Sequence, residues 1–249
     1  MMAISFPESL VSAVRGAKKV AVMTGAGISA ESGIPTFREA QTVLWSRFRP
    51  EELATPEAFR RDPKRVWEWY QWRRSLIANA RPNPGHLALA TMANHWQKLT
   101  VITQNIDGFH QLAGSRNVLE LHGNIHRTKC FENHHFAEKL DLTSDAIPPR
   151  CQQCQSPLRP DVVWFGEMLP QKELSAAAEA VGACDLFFSI GTSSVVYPAA
   201  DLVFAAIRRG VATIEINPAE TPASSSFSFS LRGAAGEMLP SLLQAAWPQ

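Results

Sequence analysis

Four short apolar runs, "KVAVMTG", "LTVITQN", "DLFFSIGTS" and "VATIEINP", recur along the chain, each closing on a small or polar residue. Runs that are this short, rich in β-branched residues and apolar at consecutive positions suit strands buried on both faces, the condition of a parallel sheet. Helical patterns lie between them, as in "ELSAAAEAVGACD" and "AADLVFAAIRRG". Parallel neighbours need crossovers, so the alternation predicts an α/β fold: a Rossmann-like parallel sheet with helices on both faces. In such sheets ligands gather beyond the carboxyl ends of the strands. Residues 24–27, 104–107, 191–193 and Asn217 form the expected ligand rim.

Two stretches break the alternation. Residues 45–84 read as helices rich in tryptophan and arginine, and residues 125–160 are polar and carry cysteine. The expectation is a single domain over 1–249, with a Rossmann-like lobe from residues 1–44, 85–124 and 161–249. A smaller lobe comes from the helical 45–84 and the insertion 125–160. With 249 residues, 45% of them hydrophobic, the chain can bury one core and support such a lobe. A net charge of +1 with no basic block argues against nucleic acid or a membrane surface as partner.

The opening "MMAISFPESLVSAVRGAKK" lacks the apolar run of a secretory signal and reads as a short amphipathic helix. The most apolar later region is broken by Gly191, Pro198 and Asp201, so it is not expected to span a membrane. Four cysteines without secretory features predict a reducing compartment, hence a cytoplasmic protein whose thiols bind metal or pack. Cys184, apart from the other three, reads as a small buried apolar residue.

After the first strand, "TGAGISAESG" has the G-x-G-x-x-A form of a dinucleotide-binding turn at Gly25, Gly27 and Ala30. Gly25 suits the tight turn, Gly27 suits close approach of a pyrophosphate, and a following helix would present its N–H groups to the anion. No acidic residue stands at a strand end about twenty positions on to hold the ribose, which disfavours a hydride-transfer enzyme. In "TQNIDGFH", Gln104, Asn105 and Asp107 offer amide and carboxylate groups suited to a carboxamide and ribose hydroxyls, with helix capping as the alternative. His122, between an apolar strand and Gly123, is either a general base or a structural imidazole. In "VWEWYQWRR", Tyr70 and Arg73 share a helix face, for packing or for a ligand.

Together "GAGISAESGIPTFR", "TQNIDGFH", "ELHGNIH", "VVWFGE", "GTSSVVYPA" and "EINP" resemble the sirtuin (Sir2) family in order and spacing, over nearly the whole chain. Within it the chain is most similar to the sirtuin-5-type and bacterial deacylases. The resemblance implies an NAD-dependent protein-lysine deacylase. In that chemistry the acyl oxygen of the modified lysine attacks the ribose carbon bearing nicotinamide, yielding free lysine, O-acyl-ADP-ribose and nicotinamide. By this resemblance His122 would take a proton from the ribose hydroxyl system, with Asn105 as the second catalytic residue.

The same resemblance implies that NAD meets Gly25, Ala26, Gly27, Ile28, Ser29, Glu31, Thr36, Phe37, Arg38 and Trp45. Asn105, Ile106 and Asp107 would bind the carboxamide and Gln104 the ribose. Gly191, Thr192, Ser193, Asn217, Pro218 and Ala219 would hold the adenosine half, with Ala235 near the adenine. Val162, Val163, Trp164, Phe165, Gly166 and Glu167 would form the strand that pairs with an extended acyl-lysine peptide. Tyr70 and Arg73 would lie over the acyl pocket, where a guanidinium suits the carboxylate of a succinyl or malonyl group. Ala54, standing where deacetylases of the family tend to carry a bulky aromatic, would leave room for it.

Family members hold a structural zinc with two C-x-x-C pairs. Here Cys151 and Cys154 form one pair, but the other reads "CFEN", with Cys130 followed by Asn133 in the usual cysteine position. His134 or His135 completes the site if the loop shifts by one or two residues. The stretch "EAQTVLW" lacks the glycines often found in the family's cofactor loop. Two other readings remain: NAD glycohydrolysis or ADP-ribosyl transfer at the same ribose carbon, and a sensor that binds without turnover.

Overall fold

The computed structural model describes residues 4–35, 50–137 and 146–248. Six strands form one sheet in the order β3-β2-β1-β6-β7-β8. They are β1 (Lys19–Thr24), β2 (Lys98–Thr103), β3 (Val118–Glu120), β6 (Leu186–Ile190), β7 (Ala212–Ile216) and β8 (Phe229–Leu231). Every pairing in it is parallel. All four apolar runs become strands of this sheet, with β1 at its centre between β2 and β6.

Because strand side chains alternate in direction, each central strand feeds two cores. On one face Val20 and Val22 of β1 and Phe188 of β6 pack with Leu10 and Val14 of α1 (Glu8–Gly16). Leu89 and Met92 of α5 (Pro84–Met92) and Leu239 and Leu242 of α9 (Ala235–Ala246) complete that core. On the other face Ala21, Met23 and Phe187 pack with Val181 of α7 (Gln171–Ala183) and Val203 and Ala206 of α8 (Ala200–Arg208). Helices therefore cover both faces. Cys184 is buried in this second core, as expected.

A third core lies beside the sheet. It joins α2 (Pro50–Leu53), α3 (Pro56–Arg61) and α4 (Pro63–Asn79) to the antiparallel pair β4 (Gly123–Cys130) and β5 (Leu158–Val162). The helix starts are written in the sequence: Thr55 Oγ1 accepts from Ala58 N at 3.0 Å, and Asp62 Oδ1 accepts from Arg65 N at 3.0 Å. Each cap is followed by proline at the first helical position, where the missing N–H costs nothing. Among the described residues no helix is long and apolar enough to cross a membrane.

Candidate active site and metal centre

The turn after β1 departs from the expected phosphate-cradling helix. Residues Ala26–Ser32 form a 3-10 helix closed by Gly33 in the left-handed region. Gly25 N bonds Ile190 O at 3.0 Å and Gly27 N bonds Gly191 O at 2.8 Å, so the Gly27 N–H is already committed. A Cβ at Gly27 would stand 2.7 Å from Gly191 Cα, and one at Gly191 would stand 2.3 Å from Ile28 N. The glycines let the ends of β1 and β6 touch backbone to backbone, a contact that by itself requires the missing Cβ at Gly27. Gly191 also has φ +60°, which a side chain disfavours.

Beyond the strand ends the rim residues converge. Gln104 Nε2 donates to Thr192 Oγ1 at 3.1 Å, and Asn217 Nδ2 donates to Thr192 O at 2.9 Å. Asn105 Nδ2 reaches Gly25 O at 3.0 Å and Ser29 Oγ at 3.1 Å. Ser29 Oγ donates to Asp107 Oδ2 at 2.8 Å, while Phe109 N donates to Asp107 Oδ1 at 2.9 Å. Burial raises the Asp107 pKa, against the pull of these bonds. Pro218 and Ala219 lie exposed after β7. Ser193 is half-buried beside the rim.

His122 follows β3, and its Nδ1 lies 2.9 Å from Gln104 O. A carbonyl oxygen only accepts, so Nδ1 carries the proton and Nε2 is left with a free lone pair. Burial lowers the His122 pKa, only partly offset by the Gln104 bond, so the ring stays neutral to lower pH than a free imidazole. Val163 N bonds His122 O at 3.0 Å, tying this residue to the segment after β5. Gly123 makes the approach of the two segments feasible: its φ is +77° and a Cβ there would stand 2.2 Å from Asp161 O.

That segment is not the predicted strand. Strand β5 ends at Val162, and residues 163–167 turn, with Gly166 at φ +86° and Glu167 N bonded to Trp164 O. Trp164 is 2% exposed and packs on Phe59, Phe131 and Tyr70. Glu167 accepts two bonds from Arg159, whose guanidinium lies 3.2 Å from the Trp164 ring centroid. Burial would raise the Glu167 pKa, but the Arg159 hydrogen bonds and charge hold it below the usual carboxylate range. Trp164 and Glu167 therefore brace the turn from inside, leaving Phe165, 45% exposed, and Gly166 at its surface. Phe165 N bonds Ala54 O at 2.9 Å, which joins the turn to the connection between α2 and α3.

Two other residues expected near NAD also have internal partners. Glu31 Oε2 accepts from Gly236 N at 2.6 Å, an acidic group at the start of α9 where the helix dipole favours it. Ala235 is buried in the core beside Gly85, where a Cβ would stand 2.9 Å from the Ala235 carbonyl carbon. Ile28 is fully buried in the core beneath the turn. Ile106 packs partly buried against the third core. Thr36, Phe37, Arg38 and Trp45, with the stretch "EAQTVLW", lie outside the described residues.

On α4 the spacing of three places the Tyr70 and Arg73 side chains together. The Arg73 guanidinium carbon lies 5.7 Å from the Tyr70 ring centroid. Tyr70 is 1% exposed, and its Oη accepts from Trp164 Nε1 at 2.9 Å. Burial raises its pKa, so the phenol stays protonated with its own O–H left to donate. Among the described residues no carboxylate lies within ion-pair distance of Arg73, although Asp107 at the cleft floor feels its charge.

A buried polar layer beneath the rim was not read from the sequence. His86 Nδ1 lies 3.1 Å from Asn83 Oδ1, and His110 Nε2 lies 2.9 Å from Thr24 Oγ1, which itself bonds Thr103 Oγ1. Burial lowers His86 to about 4; burial and then the neighbouring His86 lower His110 to about 3. Both are neutral when folded and protonated near pH 5 when unfolded, so unfolding takes up protons there. Stability is therefore expected to be full above pH 6.5 and to fall as pH drops toward 4. Denaturant titrations across this range check this: stability that falls from pH 7.5 to pH 5, with about two of the protons taken up on unfolding at pH 5 falling on these rings, is expected, and a flat profile would refute it.

The cysteine insertion gathers as a metal site. Ligand atoms of Cys130, His135, Cys151 and Cys154 all lie within 4.8 Å of one another. The Cys130 and Cys154 sulfurs are 3.7 Å apart, close to the ~3.8 Å of a tetrahedron with ~2.3 Å bonds. Of the two candidate histidines the fold selects His135. His134 takes φ +57°, and the chain reverses so that His135 O accepts from Cys130 N at 2.8 Å. Among the described residues Asn133 is held at the site by its backbone N–H, 3.1 Å from Cys130 Sγ.

A parallel-sheet cleft edged by glycine turns and amides, an imidazole with Nε2 left to accept a proton, and a side lobe whose three cysteines and one histidine could hold a metal ion suit an enzyme that binds a dinucleotide. The Sir2 family pattern matches residues 25–198, and the chain belongs to this family. It is 45% identical to the NAD-dependent protein deacylase of Methylococcus capsulatus, over 97% of this chain and 98% of that protein. It is 54% identical to that of Aquifex aeolicus over 82% of this chain and 84% of that protein. A solved Sir2 homologue–NAD complex superposes with a TM-score of 0.90 at 45% identity, covering 99% of this chain and 96% of that one. A Sir2–p53 peptide–NAD+ complex superposes at 0.85 with 30% identity, covering 96% and 98%.

Proposed function

We propose that this chain is an NAD-dependent protein-lysine deacylase, a desuccinylase and demalonylase with deacetylase activity, releasing nicotinamide, O-acyl-ADP-ribose and free lysine. Bound NAD supplies a ribose carbon that an acyl oxygen can attack as nicotinamide leaves. His122 accepts a proton at Nε2 from the ribose hydroxyl system, its tautomer fixed by Gln104. Asn105 and Asp107, already crosslinked through Ser29, present the groups that meet the carboxamide. Thr192 and Asn217 border the adenosine half. Phe165, Gly166 and Val163 border the peptide, and Ala54 leaves space above the acyl group. The partners in this reading are acyl-lysine proteins in the cytoplasm rather than nucleic acid or membrane.

The observation that carries the acyl preference is the Tyr70–Arg73 pair: a guanidinium without a carboxylate partner among the described residues, beside a phenol with a free O–H. A substrate carboxylate satisfies both. Mass spectrometry of matched acetyl-, malonyl-, succinyl- and glutaryl-lysine peptides, with and without NAD, tests the proposal. Succinyl and malonyl groups should leave faster than acetyl and only with NAD. Acetyl leaving fastest would remove the preference, and nicotinamide release without peptide would favour glycohydrolysis.

Cys130, Cys151, Cys154 and His135 would hold a structural zinc. Trp67 of α4 packs in the same cluster as Cys130 and Cys151, so the metal would also steady the helix that carries Tyr70 and Arg73. Protein purified without added zinc should contain about one zinc per chain. Cys151→Ser should lose it and melt at lower temperature; elemental analysis near zero for the unaltered protein would remove the assignment.

A further inference from the structure

We infer that Trp69 is a positioning residue of the acyl pocket: its ring holds the Arg73 guanidinium in place while leaving the N–H edges open to a substrate carboxylate. This rests on the acyl reading above and adds to it the device that orients Arg73. Helix α4 runs unbroken from Pro63 to Asn79, so Trp69 and Arg73, four apart, share a face with Tyr70. The Arg73 guanidinium carbon lies 5.1 Å from the Trp69 ring centroid, closer than to Tyr70, and the Trp69 and Tyr70 rings meet edge to face at 4.4 Å.

An arginine can be fixed by a carboxylate or by aromatic faces, and the difference decides what it can still bind. A carboxylate would occupy the guanidinium fork. A ring face attracts the cation through its π cloud and consumes no N–H donor. The clamp is itself anchored, because Tyr70 is bonded to the buried Trp164, which is braced by Arg159 and Glu167. The other tryptophans of "VWEWYQW" stand elsewhere: Trp67 packs beside the metal cysteines and Trp72 is exposed. Trp69 alone of the three stacks on Arg73 among the described contacts.

The test is steady-state kinetics of Trp69→Leu and Trp69→Phe on succinyl- and acetyl-lysine versions of one peptide. Trp69→Leu should lower the succinyl-to-acetyl ratio of kcat/KM by about tenfold, mainly through the succinyl KM. Trp69→Phe, which keeps a π face, should restore the ratio to within about threefold of the parent. A role in folding alone would lower both substrates together and leave the ratio unmoved, which would overturn the inference. So would a Trp69→Phe as impaired in the ratio as Trp69→Leu. If the unaltered enzyme fails to remove succinyl groups, the acyl reading itself falls and the clamp with it; if it removes them and Trp69→Leu does so with the same selectivity, the clamp alone falls.

Discussion

Replacing His122 with alanine is expected to slow acyl-lysine turnover by about 10²- to 10⁴-fold, the usual contribution of a positioned general base. The expectation rests on the ring's tautomer. With Nδ1–H given to the Gln104 carbonyl, Nε2 is a lone-pair acceptor at the edge of the cleft, and burial lowers the imidazole pKa so that the accepting form dominates at neutral pH. The sign fixes the pH profile too. A base with a depressed pKa loses activity only when acid protonates it, so the acid limb of kcat/KM should fall below the 6.5 of a free histidine. Since the proton is taken after nicotinamide departs, His122→Ala should still exchange labelled nicotinamide into NAD while deacylation collapses. Loss of both together would point to a binding defect, and turnover at the parental rate would remove the base from the mechanism.

The sheet was legible because its strands are local: five or six apolar residues ending in a polar one identify themselves without reference to the rest of the chain. The convergence of residues 104–107, 191–193 and Asn217 followed, since strand ends in a parallel sheet lie on one side. What was not legible depended on which backbone approaches which. Gly27 looks like a phosphate-turn glycine, yet its missing Cβ serves the contact with Gly191, more than 160 residues away in sequence. The resemblance implies a strand at "VVWFGE", but the Arg159–Glu167 pair bends it into a turn, and nothing near Glu167 announces that partner. His86 carries no periodic or motif signal, and His110, although it closes "TQNIDGFH", gives no sign of its partner; only the approach of α5 to the helix Phe109–Leu112 after β2 brings the two rings together under the rim, with centroids 5.0 Å apart. The fourth metal ligand lay between, since "CFENHH" offers both histidines and the left-handed turn at His134 chooses the second.

Arg73→Met should reduce kcat/KM for succinyl-lysine by about a hundredfold or more relative to acetyl-lysine, since two charge-assisted hydrogen bonds of roughly 1.5–3 kcal/mol each are removed. Methionine keeps the length and packing of the side chain against Trp69 and Tyr70, so the loss reports the charge rather than a cavity. The effect should be large because the site is partly enclosed: burial lowers the Arg73 pKa, only partly offset by Tyr70 and Asp107, so a carboxylate entering there gives up water and needs the cation in return. Arg73→Lys provides the geometric control. It restores the charge without the planar fork, so it should recover part of the succinyl activity and fall short of the parent. Acetyl-lysine, which has no carboxylate, makes no such demand on Arg73. Equal losses on the two substrates would show that Arg73 supports the fold or NAD instead of the acyl group.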